Sequence, residues 1–362
     1  MRLLFLCKRR PQGRDLLTRP YGRFFYLPYY LAQQGHDITL LLLDYHAGDP
    51  IYHHAHGIKW FSVSVQPLKQ ASGPMAYLRQ AEKIVNTQTP DWIIGFSDTW
   101  YGILAAYLGK RYGVKTLIDA YDNYESYIPW FKPLHWLWRH SLRRCTAVSA
   151  AGPQLAKLMA RSRADNVSTV IPMTADPIFH PLNDCYVRNR FNLPNGVPLI
   201  GYCGSLYENR GVETLFQAMR YLVNQLPEAK LVISGRREQG IKIPIDLRHA
   251  VIELGYLADD DMPLLINALD VLVVINRHSA FGEYSYPVKL YEAMHCQKPV
   301  IASDSAGAKW ILQGHPECLA DSGDSVNFAK RIHQALSWKT KEYNSSHDWA
   351  FSSKLFKDLL GH

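Results

Sequence analysis

"LIGYCGSLYENRGVETLFQAM", residues 199–219, decides the fold class. An apolar run ends at Gly204, a polar loop carries Ser205 and Arg210, and Gly211 precedes a segment that reads as a helix to 225. A wholly apolar strand leading into a helix is the building unit of a parallel sheet covered on both faces. The unit recurs downstream. "AKLVISG", "AVIELGY", "DVLVVIN" and "PVIASD" are further strands, with helices predicted near 260–268 and 288–296. Upstream, "RLLFLC", "ITLLLLD", "DWIIGFS", "VKTLIDA" and "CTAVSA" alternate with helices predicted near 74–87, 100–112, 133–144 and 152–161. "GRFFYLPYYLAQQGHD" reads as a helix stopped by Gly35.

The Pro- and Asn-rich stretch 171–198 interrupts the alternation and reads as a linker. The expected class is α/β: two Rossmann-like doubly wound domains, 1–176 and 177–345, facing each other across a cleft, with a C-terminal helix over 346–362. Ligands of such sheets bind beyond the carboxyl ends of the strands.

At 362 residues and 47% hydrophobic, the chain has material for two cores. No apolar run approaches the ~18 residues of a membrane span. The apolar part of "MRLLFLCKRR" is shorter than the roughly 7–15 residues of a secretory leader, so none is expected. The six cysteines lack any CxxC or paired spacing, which predicts reduced thiols and a cytoplasmic setting. Residues 1–176 carry a net charge of +9 and residues 177–362 a net of −1. An excess confined to one half predicts an anionic partner there. No RNA- or DNA-binding motif accompanies it, so nucleic acid is not expected.

Two segments of the second half suit phosphate. Gly204 and Gly211 let the backbone approach a ligand closely, the helix start offers free N–H groups, and Arg210 adds a fork of donors. An ordinary turn with a surface arginine would look the same. The second segment is "SYPVKLYEAMHCQKPVIAS", residues 285–303. Pro287 suits the first position of a helix, with Ser285 or Tyr286 near the cap and the amides of Val288 and Lys289 as the next donors. Lys289 and Glu292 stand at i and i+3 and share a face. The ammonium suits phosphate and the carboxylate suits two adjacent ribose hydroxyls. A plain surface Lys–Glu pair is the alternative.

In order, "GYCGSLYENRGVETLFQAM", "AKLVISG", "AVIELGYLADDDMPLLINALDVLVVIN" and "YSYPVKLYEAMHCQKPVIASDSAG" resemble the retaining glycosyltransferases of family 4, which have the GT-B fold. Residues 1–176 resemble them more weakly, through "YGRFFYLPYYLAQQGHDITLLLL", "AVSA" and "IPMTADPIFHP". The resemblance implies transfer of a sugar from a UDP- or GDP-linked donor to a hydroxyl of a glycan or lipid-linked acceptor, with retention. It implies ribose binding by Glu292 and diphosphate binding by Gly204, Ser205, Arg210, Val288 and Lys289. The backbone at Tyr256 and Leu257 falls where the family contacts the base. A second glutamate common in the family is here Tyr284, beside Glu283. Pro287 replaces a glycine, and Ser205 replaces a frequent arginine.

Charge on the departing diphosphate would be stabilised by Arg210, Lys289 and helix amides, so no metal or other cofactor is expected. The run Asp259–Asp261 reads as a helix N-cap with acids in the first turn. No protein nucleophile is assigned. Tyr121 and Asp122 follow a strand and are acceptor candidates, Asp122 to orient the hydroxyl. Tyr121 occupies a position where the family commonly has histidine. Gly22 and Arg23 close the basic segment 8–23, which suits a phosphate of the acceptor or donor.

In "YIPWFKPLHWLWRHSLRR", Trp130, Phe131, Trp136 and Trp138 alternate with Lys132, Arg139, Arg143 and Arg144. That mixture suits an anionic membrane surface and predicts a peripheral protein on a cytosolic face. Alternatives on the same architecture are a sugar-nucleotide epimerase, which needs an acid–base pair not evident here, and a non-catalytic nucleotide-sugar binder.

Overall fold

A computed structural model describes residues 1–65, 72–182, 187–207, 211–277, 279, 282–344 and 347–361. The chain divides into an N-terminal unit, Met1–Met173 with His347–His362, and a C-terminal unit, Thr174–Ser346.

The N-terminal unit runs β1 (Arg2–Lys8), α1 (Gly22–Gln33), β2 (Asp37–Asp44), β3 (Ile51–Ala55), β4 (Ile58–Ser64), α2 (Ser72–Gln88), β5 (Trp92–Gly95), α3 (Thr99–Tyr112), β6 (Lys115–Ala120), α4 (Lys132–Arg144), β7 (Ala147–Ala150), α5 (Pro153–Ala160) and β8 (Thr169–Val170). The C-terminal unit runs α6 (Val187–Arg190), β9 (Leu199–Cys203), α7 (Val212–Gln225), β10 (Lys230–Ser234), β11 (Val251–Gly255), α8 (Asp261–Ala268), β12 (Val271–Val274), α9 (Val288–His295), β13 (Val300–Ser303), α10 (Ala306–Ile311), β14 (Leu319–Ala320) and α11 (Ser325–Ala335). A final helix, α12 (Trp349–Gly361), returns to the N-terminal unit.

The first sheet has the order β3-β4-β2-β1-β5-β6-β7-β8. It is parallel except for β3, which pairs antiparallel with β4. The second has the order β11-β10-β9-β12-β13-β14 and is parallel throughout. Central strands such as β1, β2, β5 and β9 are buried almost end to end, as their uniform apolarity requires. In the C-terminal unit Ile200, Ile233, Val271 and Val273 form one core with Leu215, Phe216 and Met219 of α7 and Phe328 and Ile332 of α11.

The hairpin β3–β4 is absent from the sequence expectations. Its turn, His56-Gly57, has φ of 57° and 75°, the left-handed pair of a two-residue hairpin. The exposed strand "IYHHA" shows no apolar alternation to betray it. The C-terminal helix is anchored by aromatic packing. Phe356 stacks on Phe5 and Phe96 at 6.2 and 6.1 Å, Trp349 stacks on Tyr26 at 5.9 Å, and Ser352 Oγ donates to the Pro172 carbonyl at 3.0 Å. Among the described residues no helix is long and apolar enough to cross a membrane.

Strand order reverses at β1/β5 in the first sheet and at β9/β12 in the second. Such reversals open crevices beyond the carboxyl ends of the strands. In the C-terminal unit that crevice is flanked by Gly204–Leu206 after β9 and Ile275–Arg277 after β12.

Candidate active site

The loop after β9 is held firmly. Gly204 N–H donates to the Ser234 carbonyl and Leu206 N–H to the Arg236 carbonyl, both at 2.8 Å, while Glu238 N–H returns to Leu206 at 3.0 Å. Tyr202 Oη donates to the Ser205 carbonyl at 3.2 Å. Gly235 makes this lacing possible. Its φ is +128°, and a Cβ there would lie 2.3 Å from the Gly204 carbonyl oxygen. Its own N–H reaches the Gly255 carbonyl at 2.7 Å. In the sequence the only trace of this role is a glycine one residue past a strand.

Gly211 caps α7 with φ +79°. A Cβ there would come within 3.3 Å of Arg277 Cγ, so the Arg277 side chain lies against the start of α7. Half-exposed, it stands 3.9 Å from Glu213. Arg277 is a phosphate candidate that sequence reasoning missed. Its signal is a cation three residues beyond β12. Arg210 lies outside the described residues.

Helix α9 begins at Val288, and Pro287 is its N-cap with φ −63° and ψ 116°. That corrects the expected placement of Pro287 inside the first turn and of the cap at Ser285 or Tyr286. Proline's fixed φ suits either position, and the extended ψ makes Pro287 the cap, its carbonyl accepting from Leu290 N–H at 3.1 Å. Tyr286, buried, packs edge-on against Trp310 at 5.5 Å and fixes the entry.

One and a half turns in, Glu292 is 5% exposed and its Oε2 accepts from Lys289 Nζ at 2.7 Å. The pair is near enough to Cys203, the last residue of β9, to act on its thiol electrostatically. Burial pushes the Cys203 thiol up to about 11, with the Lys289 ammonium pulling it down and Glu292 adding to the rise. The lysine holds one oxygen of this buried carboxylate, so ammonium and carboxylate stand side by side on one face of α9.

Tyr256 follows the turn at Gly255, two-thirds exposed, with the Arg236 guanidinium 5.5 Å from its ring centroid. Leu257 beside it is half-buried. Asp260 takes the N-cap position of α8 without a side-chain capping bond, and Asp261 in the first turn pairs with Arg190 at 2.6 Å. Among the described residues no three His, Cys, Asp or Glu side chains converge as metal ligands.

In the N-terminal unit Arg23 departs from its expected role. It is fully buried, bidentate to Asp119 (Nε–Oδ2 2.7 Å, Nη2–Oδ1 2.5 Å), and donates to the Ile171 carbonyl at 2.8 Å. Ser149 Oγ donates to the same carboxylate at 2.6 Å. With these donors turned inward, Arg23 is a framework residue and offers nothing to an acceptor. Gly22 opens α1 with φ +56°. The basic segment is likewise neutralised in part. Lys8 stands 3.5 Å from Asp98, and Arg9 and Arg10 pair with both Asp15 and Asp44.

Tyr121 is nearly buried, edge-on to Phe24 at 5.3 Å, and burial raises its pKa. Asp122 accepts from Tyr127 Oη at 2.7 Å and lines a cleft at the end of β6.

A family model described as glycosyl transferases group 1 matches residues 197–337, and one described as a glycosyl transferase 4-like domain matches residues 27–174. The chain belongs to the group 1 glycosyl transferases. This group 1 chain is 26% identical over 214 residues to a 2-deoxystreptamine glucosyltransferase of Streptomyces kanamyceticus, covering 55% of its own length and 53% of the relative's. It thus spans about half the length of the curated relatives it matches. Among solved structures, sucrose-phosphate synthase from Thermosynechococcus elongatus superimposes with a TM-score of 0.73 at 17% identity, over 99% of this chain and 94% of that one. HepE of Anabaena, in complex with UDP and glucose, also gives 0.73, at 16% identity, over 100% and 99%. These likenesses show that the group 1 chain has the GT-B fold.

Proposed function

We propose that the chain transfers a sugar from a UDP- or GDP-linked donor to a hydroxyl of a glycan or lipid-linked acceptor, with retention of configuration. The observation that carries this is the Lys289–Glu292 pair, set on α9 beside the end of β9. Glu292 takes the ribose hydroxyls. Lys289, Arg277 and the amide of Val288 take the diphosphate, joined by Gly204 and Ser205 of the laced loop and by Arg210. Tyr256 and Leu257 flank the base. HepE, of the same fold, binds UDP and glucose, which supports a nucleotide-sugar donor.

In the proposed reaction the acceptor oxygen bonds to the anomeric carbon as the bond to the diphosphate breaks. The hydroxyl proton passes to a diphosphate oxygen, and Asp122 orients the hydroxyl. The developing charge is met by cations of the chain, so this mechanism uses neither a metal nor a protein nucleophile.

The test is incubation with donor alone and then with acceptor. Acceptor-dependent release of nucleoside diphosphate is expected. Epimerised donor without acceptor, or binding without turnover in either case, would overturn the proposal.

The same proposal places the protein at the cytosolic face of a membrane. Trp130 and Trp136 are 78% and 67% exposed, next to exposed Phe131, Lys132, Arg143 and Arg144. Trp138 takes no part in this surface. It is 5% exposed and packs on Tyr124 at 5.6 Å, because α4 turns that face to α3, where the indole lies against Gly102. Replacing Trp130 and Phe131 with serine is expected to release the protein from phosphatidylglycerol vesicles. Undiminished flotation would rule the contact out.

A further inference from the structure

Arg236 follows Gly235 directly, and the backbone around it is fixed from two sides. Its carbonyl accepts from Leu206 N–H at 2.8 Å, in the loop after β9. Gly235 N–H donates to the Gly255 carbonyl at 2.7 Å, at the end of β11. Arg236 therefore stands between the loop proposed for the diphosphate and the Tyr256–Leu257 segment proposed for the base.

The two arginines of this turn behave differently. Arg237 turns to Glu253 at 3.2 Å and donates to the Ile241 carbonyl at 3.1 Å. Arg236 has no carboxylate partner among the described residues. Its exposed guanidinium lies over the Tyr256 ring, 5.5 Å from the centroid. The ring face attracts the cation without occupying its N–H groups. A guanidinium has five such donors and no acceptor, so the side chain is steadied with its donors unspent.

The nucleobases differ at one exocyclic group. Uracil and guanine carry a carbonyl oxygen where cytosine and adenine carry an amine. A donor-only group separates the two classes, because it bonds the oxygen and opposes the amine with further N–H groups.

We infer that Arg236, steadied by Tyr256, makes the donor site select a keto base over an amino base. Its N–H groups reach the exocyclic oxygen of uracil or guanine, and the amine of cytosine or adenine finds no acceptor there. The inference rests on the donor site of the proposed transfer and deepens it by naming the residue that sets the base.

The test is calorimetric titration of the full chain with UDP, CDP, GDP and ADP. UDP and CDP share ribose and diphosphate, as do GDP and ADP, so the ratio within a pair isolates the base edge. The pair that binds more tightly decides. Its keto member is expected to bind about tenfold or more tightly than its amino member, the worth of a hydrogen bond to a charged group. Arg236→Met keeps the stem and removes the donors, and is expected to bring the ratio to within about twofold of unity. Arg236→Glu offers acceptors in their place and is expected to tip the ratio towards the amino base, whatever its charge does to both affinities together. Arg237→Gln, at the arginine turned to Glu253, is expected to change the ratio less than about twofold.

A ratio near unity in the unaltered chain would overturn the inference. So would an Arg236→Met variant that keeps the ratio, including one that weakens both members equally, which would make Arg236 a diphosphate contact. Binding without discrimination sinks the base reading alone. No binding of any of the four nucleotides sinks the glycosyl-transfer proposal with it.

Discussion

Asp119→Ala is expected to lower the unfolding free energy by about 3–5 kcal/mol, the usual consequence of leaving a buried charge without its partner. Arg23 and Asp119 are both fully excluded from water and hold each other bidentately across 96 residues of sequence. Removing the carboxylate strands a guanidinium with only carbonyl acceptors, and strands Ser149 Oγ as well. Replacing both partners, as Arg23→Met with Asp119→Leu, is expected to recover most of the loss, since no charge then remains to be solvated. Urea unfolding checks both. A single-variant loss below about 1 kcal/mol, the range of an exposed pair, would show that water reaches this site.

Glu292→Ala is expected to weaken UDP affinity by about 1.5–3 kcal/mol, the worth of hydrogen bonds to a charged group. That corresponds to roughly 10- to 150-fold in Kd. The loss should follow the nucleoside. Uridine binding should fall with UDP binding, whereas inorganic pyrophosphate should bind as well as before or better, because Lys289 loses the carboxylate that partly neutralises it at 2.7 Å. Equal losses for uridine and pyrophosphate would mean that the substitution had collapsed α9 and not removed a ribose contact.

What the sequence disclosed follows from how each feature is encoded. Uniformly apolar strands ending in glycine, such as 199–204, disclosed the parallel sheets, because burial on both faces leaves no polar alternation. The i,i+3 spacing disclosed the Lys289–Glu292 contact, since a helix sets it locally. Features made by distant segments were hidden. The inward turn of Arg23 depends on Asp119 and Ile171, and the contact of Arg277 with α7 depends on Gly211. Basic residues 8–10 looked free because carboxylates from distant segments meet them: Asp98 beside Lys8, and Asp44, at the end of another strand, with Arg9 and Arg10. The hairpin β3–β4 was hidden by its exposure and α10 by its six-residue length, while α11, with 11 residues, was missed as well.

The most direct measurement is a crystal structure of the protein with UDP. The nucleotide is predicted in the crevice at β9/β12, with both ribose hydroxyls on Glu292 and the diphosphate against Lys289, Arg277 and the start of α7. UDP bound elsewhere, or a ribose that leaves Glu292 untouched, would contradict the donor site on which the proposed transfer depends.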